Sequence, residues 1–145
     1  MSHTQADTSS AAAIPIPAPP LNELSQPFWD AITRDGTLSF QRCKACGHAW
    51  LPARSECPNC LADDWQRENA SGFGTLISWV VYRMAYHPAF ESRLPYTVAV
   101  VQLDEGPRMI SNITGVDAAS LRIDQRLRLV VQDEGDVKVP RFTPV

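Results

Sequence analysis

Four cysteines, set as Cys43-Lys44-Ala45-Cys46 and Cys57-Pro58-Asn59-Cys60, restrict what this chain can fold into more than any other stretch. They are all the cysteines the chain has, and ten residues separate the two pairs. Each Cys-x-x-Cys turn presents two sulfurs from one tight bend, and two such turns facing each other make a closed tetrahedral metal site. Gly47 follows the first pair, where the turn needs a residue that tolerates positive φ. Pro58 fixes φ in the second turn. Cys43, Cys46, Cys57 and Cys60 are therefore the candidate metal ligands, with zinc the first expectation. Iron is the alternative, because the same donor set holds either ion. His48 stands beside the site, but four thiolates already fill a tetrahedron, so it is expected as a surface neighbour.

Whether paired cysteines mean metal or disulfide depends on the compartment. No basic stretch followed by an apolar run opens the chain, so no signal peptide is expected, and no apolar run is long enough to span a bilayer. A reducing, cytoplasmic location follows as the expectation, and there metal ligation is the better reading. Thirteen basic and sixteen acidic residues leave a formal charge of −3. That balance argues against a protein whose main work is coating nucleic acid. With 145 residues, 44% of them hydrophobic, the chain can build one ordinary core or two small domains sharing a surface.

Residues 1–20 are polar, then rich in alanine and proline, and are expected to be a disordered or extended tail. Residues 21–36 change character. Leu21, Leu24, Phe28 and Ile32 recur at helical spacing, Trp29 widens the stripe, Ser25 is the candidate N-cap and Gly36 the stop, giving a helix over about 26–34. Residues 37–69 carry the metal knuckles. A short strand over 37–42, with Leu38 and Phe40 on one face, feeds the first, and Trp50-Leu51-Pro52 is expected to cover the site. Trp65 is the anchor of an otherwise polar stretch. Residues 70–145 read as β structure, with strands over 75–82, 96–103 and 108–113, the last two joined by the turn Asp104-Glu105-Gly106-Pro107. Gly72 and Gly74 open no helix, so they are read as backbone entering a bent strand and not as a phosphate loop. Alternation over 121–132 suggests a strand with Arg122, Arg126 and Arg128 in a row, either a phosphate grip or a solvated face. A final strand follows from Val137, and a brief helical turn is expected within 115–120. Five strands with short connections fit a Greek-key barrel of the OB type, so the fold class is mainly β: helix, metal ribbon, barrel.

These residues resemble a known family. Phe28-Trp29, the run from Leu38 to Cys46-Gly47, and Leu51-Pro52 through Cys57-Pro58-x-Cys60 are similar to its rubredoxin-like zinc ribbon. Gly72-x-Gly74-Thr75, Pro95-Tyr96-Thr97-Val98-Ala99 through Asp104-Glu105-Gly106-x-Arg108, and Pro140-x-Phe142 are similar to its five-stranded OB-fold barrel. The family is the acyl-CoA-associated group that pairs the two modules in this order, and the likeness covers about residues 26–145. One departure is Asp124, where the family usually has glycine. The resemblance implies an accessory subunit of a thiolase-like acyltransferase, thiolase or aldolase, with the partner carrying the nucleophile and acyl-CoA meeting the shared interface.

The residues themselves agree that catalysis lies elsewhere. A closed site uses all four thiolates and leaves no open metal position. His3, His48 and His87 are the only imidazoles, and no Ser/His/Asp arrangement is visible, so no catalytic residue is assigned. Two other functions use similar parts. A ribbon–barrel protein can bind nucleic acid, which the net acidity opposes, and a rubredoxin-like iron centre can carry electrons.

Overall fold

The computed structural model describes residues 13–145. The tail expected over 1–20 lies outside this range for residues 1–12, and residues 13–20 have no regular secondary structure. A helix, α1, runs Gln26–Asp35. Pro27 sits in its first turn, and Gly36 ends it at φ 65°, with the Gly36 and Thr37 N–H groups returning to the Ile32 and Ala31 carbonyls. Two details differ from the sequence reading. Ser25 has helical backbone angles and makes no side-chain cap. Asn22 takes the capping role one turn earlier, its Oδ1 accepting from the Leu24 and Ser25 N–H groups. Leu21 lies before the helix and is exposed, so the stripe begins at Phe28. Ile32 is fully buried and α1 lies on the barrel.

Strands β1 (Ser39–Cys43), β2 (Ala49–Trp50) and β3 (Trp65–Asn69) form an antiparallel sheet in the order β2-β1-β3. The strand β3, sequence Trp-Gln-Arg-Glu-Asn, falls in the polar stretch after the second knuckle and shows no apolar alternation. Its pairing with β1 along five residues, from Ser39 opposite Asn69 to Cys43 opposite Trp65, is what makes it a strand. Both faces of β1 are covered. Gln41, expected on the outer face, is buried and exchanges two hydrogen bonds of 2.8 Å with the Arg54 backbone, pinning the loop between the knuckles.

Strands β4 (Phe73–Tyr82), β5 (Tyr96–Leu103), β6 (Arg108–Ile113), β7 (Arg126–Glu134) and β8 (Val137–Pro144) close a barrel in the order β4-β5-β6-β8-β7. Every pairing is antiparallel except β6 with β8, where Ile113 faces Phe142, and β7 returns to β4. This is the OB-fold, with its interstrand helix reduced to the 3-10 turn Ala118–Ser120. Closure needs bent strands. The register of β4 shifts between Leu76 and Ser78, and Gly74 lies so close to β5 that a Cβ there would stand 2.6 Å from the Gln102 carbonyl oxygen.

The expected strand over 121–132 is corrected to 126–134. Asp124 turns the chain at φ 64°, its N–H bonded to the Leu76 carbonyl, and this left-handed residue breaks the alternation. Leu121 is buried from the preceding turn, whereas Ile123 is exposed. One core joins the modules: Leu76, Val101, Leu103, Leu127 and Phe142 from the barrel meet Ile32 of α1 and Leu38 before β1. A second, smaller cluster holds Cys43, Trp50 and Cys57 with Trp65 and Ala62 against it. Among the described residues no helix is long and apolar enough to cross a membrane.

Candidate metal centre

The two knuckles are built alike. In the first, the Cys43 N–H donates to the His48 carbonyl at 2.8 Å and the Gly47 N–H to the Cys43 carbonyl at 3.0 Å. In the second, the Cys57 N–H donates to the Ala62 carbonyl at 2.8 Å and the Leu61 N–H to the Cys57 carbonyl at 2.9 Å. Both turns reverse through a left-handed residue, Gly47 at φ 77° and Leu61 at φ 64°. That geometry suits glycine and costs an L-residue about 1–2 kcal/mol. Leu61 is nonetheless 76% exposed.

The structure brings together all four predicted ligands. The sulfurs of Cys43, Cys46, Cys57 and Cys60 lie within 4.8 Å of one another, with Cys43 to Cys60 at 3.5 Å and Cys46 to Cys57 at 3.7 Å. A tetrahedron with metal–sulfur bonds of about 2.3 Å has edges of about 3.8 Å, so the donor set fits a zinc-sized ion. Cys43 and Cys57 are buried, while Cys46 and Cys60 face outward. Backbone and side-chain donors point at the sulfurs: Cys46 N to Cys43 Sγ, Asn59 N to Cys57 Sγ, and Asn59 Nδ2 to Cys46 Sγ.

These donors separate the thiols. The His48 backbone N–H, with help from Asn59, holds Cys46 down at about 6. On Cys60 the Ala62 N–H acts in the same direction. It is outweighed by the Cys43 sulfur, by burial and by the Cys46 and Cys57 sulfurs, which push Cys60 up to about 12. Sulfurs this close cannot all ionise on their own, and a divalent cation removes the conflict.

His48 is exposed and stacks on Trp50, so it remains a neighbour of the site. Trp50 covers the sulfurs as expected, but Leu51 packs against the main core and not over the metal centre. Trp65 seals the other side, its Nε1 donating to the Ser55 carbonyl at 2.9 Å. Sequence reasoning missed Asn59 and Arg42. Arg42 donates to Glu68, to the Gly47 carbonyl and, 63 residues away, to the Glu105 carbonyl. It therefore ties the first knuckle to the β5–β6 turn of the barrel. Lying between two ligands was the only signal for Asn59, and Arg42 gave none.

The barrel has its own polar centre. Glu134, 5% exposed at its side chain, takes both Arg93 nitrogens at 2.6 and 2.8 Å and Arg141 at 2.7 Å. Arg141 also bonds Asn112. The Arg93 and Arg141 guanidiniums overcome the opposing effect of burial and bring the Glu134 carboxyl down to about 2. This pair fastens the 3-10 turn Pro88–Arg93 to the barrel, with His87 capping it through Nδ1. The result is the wall of a cavity of about 1000 Å³ lined by Trp79, Arg83, Phe90 and Tyr96 among others. The arginine row is shortened to Arg126 and Arg128, which flank buried Leu127 on the exposed face of β7. Arg122 precedes the strand, and Arg126 is held bidentately by Asp104 at 2.6 and 2.8 Å.

Two family models match the chain. One is described as the ChsH2 rubredoxin-like zinc ribbon domain, over residues 30–66, and the other as the ChsH2 C-terminal OB-fold domain, over residues 67–132. A DUF35 domain-containing scaffold protein of Methanothermobacter thermautotrophicus is 32% identical over 112 residues, which cover 74% of this chain and 84% of the relative. A probable enoyl-CoA hydratase alpha subunit of Thermomonospora curvata is 33% identical over 129 residues, or 88% of this chain. The chain spans only 40% of that relative's length. Among solved structures, one described as the Ltp2-ChsH2(DUF35) aldolase superposes with a TM-score of 0.76 at 32% identity, covering 88% of this chain and 98% of that one.

Proposed function

The chain belongs to the ChsH2/DUF35 family of zinc-ribbon and OB-fold proteins, and from that premise we propose that it is a non-catalytic accessory subunit of a thiolase-like enzyme. The enzyme is an acyltransferase, thiolase or aldolase acting on acyl-CoA or a related ketone. Zinc, held by Cys43, Cys46, Cys57 and Cys60, fixes the ribbon as a docking module, and the complex works in the cytoplasm. The observation that carries this reading is the closed sulfur cluster, all within 4.8 Å. It consumes every cysteine of the chain and leaves neither a free thiol nucleophile nor a vacant position for a metal-bound water.

Two further points support it. A relative of 32% identity is described as part of an aldolase with Ltp2, and archaeal relatives are named scaffold proteins. The hydratase names belong to proteins of which this chain spans 40% and 24%. The barrel cavity, with an exposed arginine at Arg83 beside the aromatic walls of Trp79, Phe90 and Tyr96, suits a surface that meets the CoA portion at the shared interface. A nucleic-acid role draws less support, since only Arg126 and Arg128 share the β7 face, Arg126 is already paired with Asp104, and the chain carries a net charge of −3.

The reading predicts a thiolase-like enzyme encoded nearby, and co-expression with that enzyme tests it. The expected outcome is a complex that co-purifies, contains about one zinc per chain and is colourless, with an enzyme subunit that loses activity or solubility when expressed alone. A partner fully active and soluble by itself would sink the proposal. A red, reducible preparation would move the assignment to iron.

A further inference from the structure

The two knuckles share their hydrogen bonds and their left-handed fifth residue, yet one places glycine there and the other leucine. Besides Leu61, Asp124 is the one non-glycine residue with positive φ among the described residues, and aspartate is a type that tolerates this region. Leucine is not. Side-chain packing among the described residues does not offset the strain, because the Leu61 side chain is 76% exposed and belongs to neither core cluster. Pro58, in the same knuckle, is exposed as well. The knuckle is also flanked by acids: Glu56 and Asp63 are exposed, while Asp64 already pairs with Lys44 at 3.5 Å. A residue held against its backbone preference, with its side chain in water, is accounted for when that side chain is buried in an assembly.

We propose that Leu61 is a docking anchor. It inserts into an apolar pocket on the enzyme subunit, and that pocket is rimmed by arginine or lysine facing Glu56 and Asp63. The inference rests on the accessory-subunit reading above and specifies which part of the ribbon makes the contact. The left-handed turn aims the leucine outward from the rigid metal knuckle, so little conformational freedom is lost when it docks.

Full-length Leu61→Gly and Leu61→Ala variants, purified with zinc, separate anchoring from a merely structural role. Leu61→Gly relieves the backbone and Leu61→Ala does not, while both remove the side chain. The expected result is an unfolding midpoint that rises for glycine and does not rise for alanine. Affinity for the co-expressed enzyme subunit, read from dissociation of the co-purified complex on dilution, is expected to fall about tenfold or more in both variants, as for loss of a buried leucine. Leu61→Met, which keeps an apolar side chain, is expected to stay within about threefold of the wild type. Wild-type affinity in both truncated variants overturns the anchor and leaves the accessory-subunit reading standing. Failure of the wild-type chain to bind the subunit overturns both.

Discussion

At the scale of single residues, the chain's charged groups matter through what they hold in place. Glu134 is the clearest case, because its nearly covered carboxylate meets two guanidiniums, one from the loop after β4 and one from β8. Its folded pKa, about 2, lies below the ordinary glutamate value of 4.5. The stability it contributes is therefore present above pH 4.5 and is lost as pH falls from there toward 2. With Arg93 partly solvated, that contribution is on the order of 2–3 kcal/mol. Glu134→Gln is expected to lower stability by this amount at pH 7, and the gap between variant and wild type should narrow as urea titrations are repeated down to pH 3. A gap independent of pH would show that packing, not charge, is what Glu134 supplies. Such partners could not be read from sequence. Glu134 was one of several acids in a turn, Arg93 one residue of a long loop, and only the folded barrel puts them together.

Among the elements, legibility followed the cause of each. Strands β5 and β6 have the bounds anticipated for them, since β-branched runs end at turn residues such as Asp104-Glu105-Gly106-Pro107. The helix α1 likewise starts near Pro27 and stops at Gly36. The strand β3 was invisible because its five residues are mostly polar, and its conformation comes from the backbone of β1. The start of β7 was misplaced because Asp124, a left-handed residue without glycine's signature, cuts the alternation. The barrel entry carries glycines for two reasons: Gly72 has φ 89°, whereas at Gly74 the constraint is space. Gly74→Ala would drive a Cβ into the Gln102 carbonyl, and a loss of about 1–3 kcal/mol is expected in chemical denaturation. An unchanged midpoint would mean that β4 and β5 can separate cheaply at this point.

For the molecule as a whole, two clusters of different character sit side by side. The barrel core includes Ile32 and Leu38, so it reaches into the helix and the entry to the ribbon, whereas the sulfur cluster has few apolar residues of its own. The ribbon is thus expected to depend on a metal held by the four sulfurs, worth on the order of 10 kcal/mol in small zinc modules, and the barrel is not. Chelation, or Cys57→Ser, is expected to expose the amides of β1–β3 to hydrogen exchange while those of β4–β8 stay protected. Uniform loss of protection would instead make the two modules one cooperative unit. The sequence by itself singled out the four cysteines whose sulfurs converge, because Cys-x-x-Cys spacing is a local property of a tight turn. It also determined the order of helix, ribbon and barrel, because periodicity and turn chemistry are local too. Tertiary structure alone decided which distant groups meet: Arg42 with Glu105, Glu134 with Arg93 and Arg141, Asp104 with Arg126. It also decided that Leu61, an ordinary leucine in the sequence, stands exposed in a left-handed turn. Backbone angles and long-range contacts are set by chain closure, and no short window of sequence contains them.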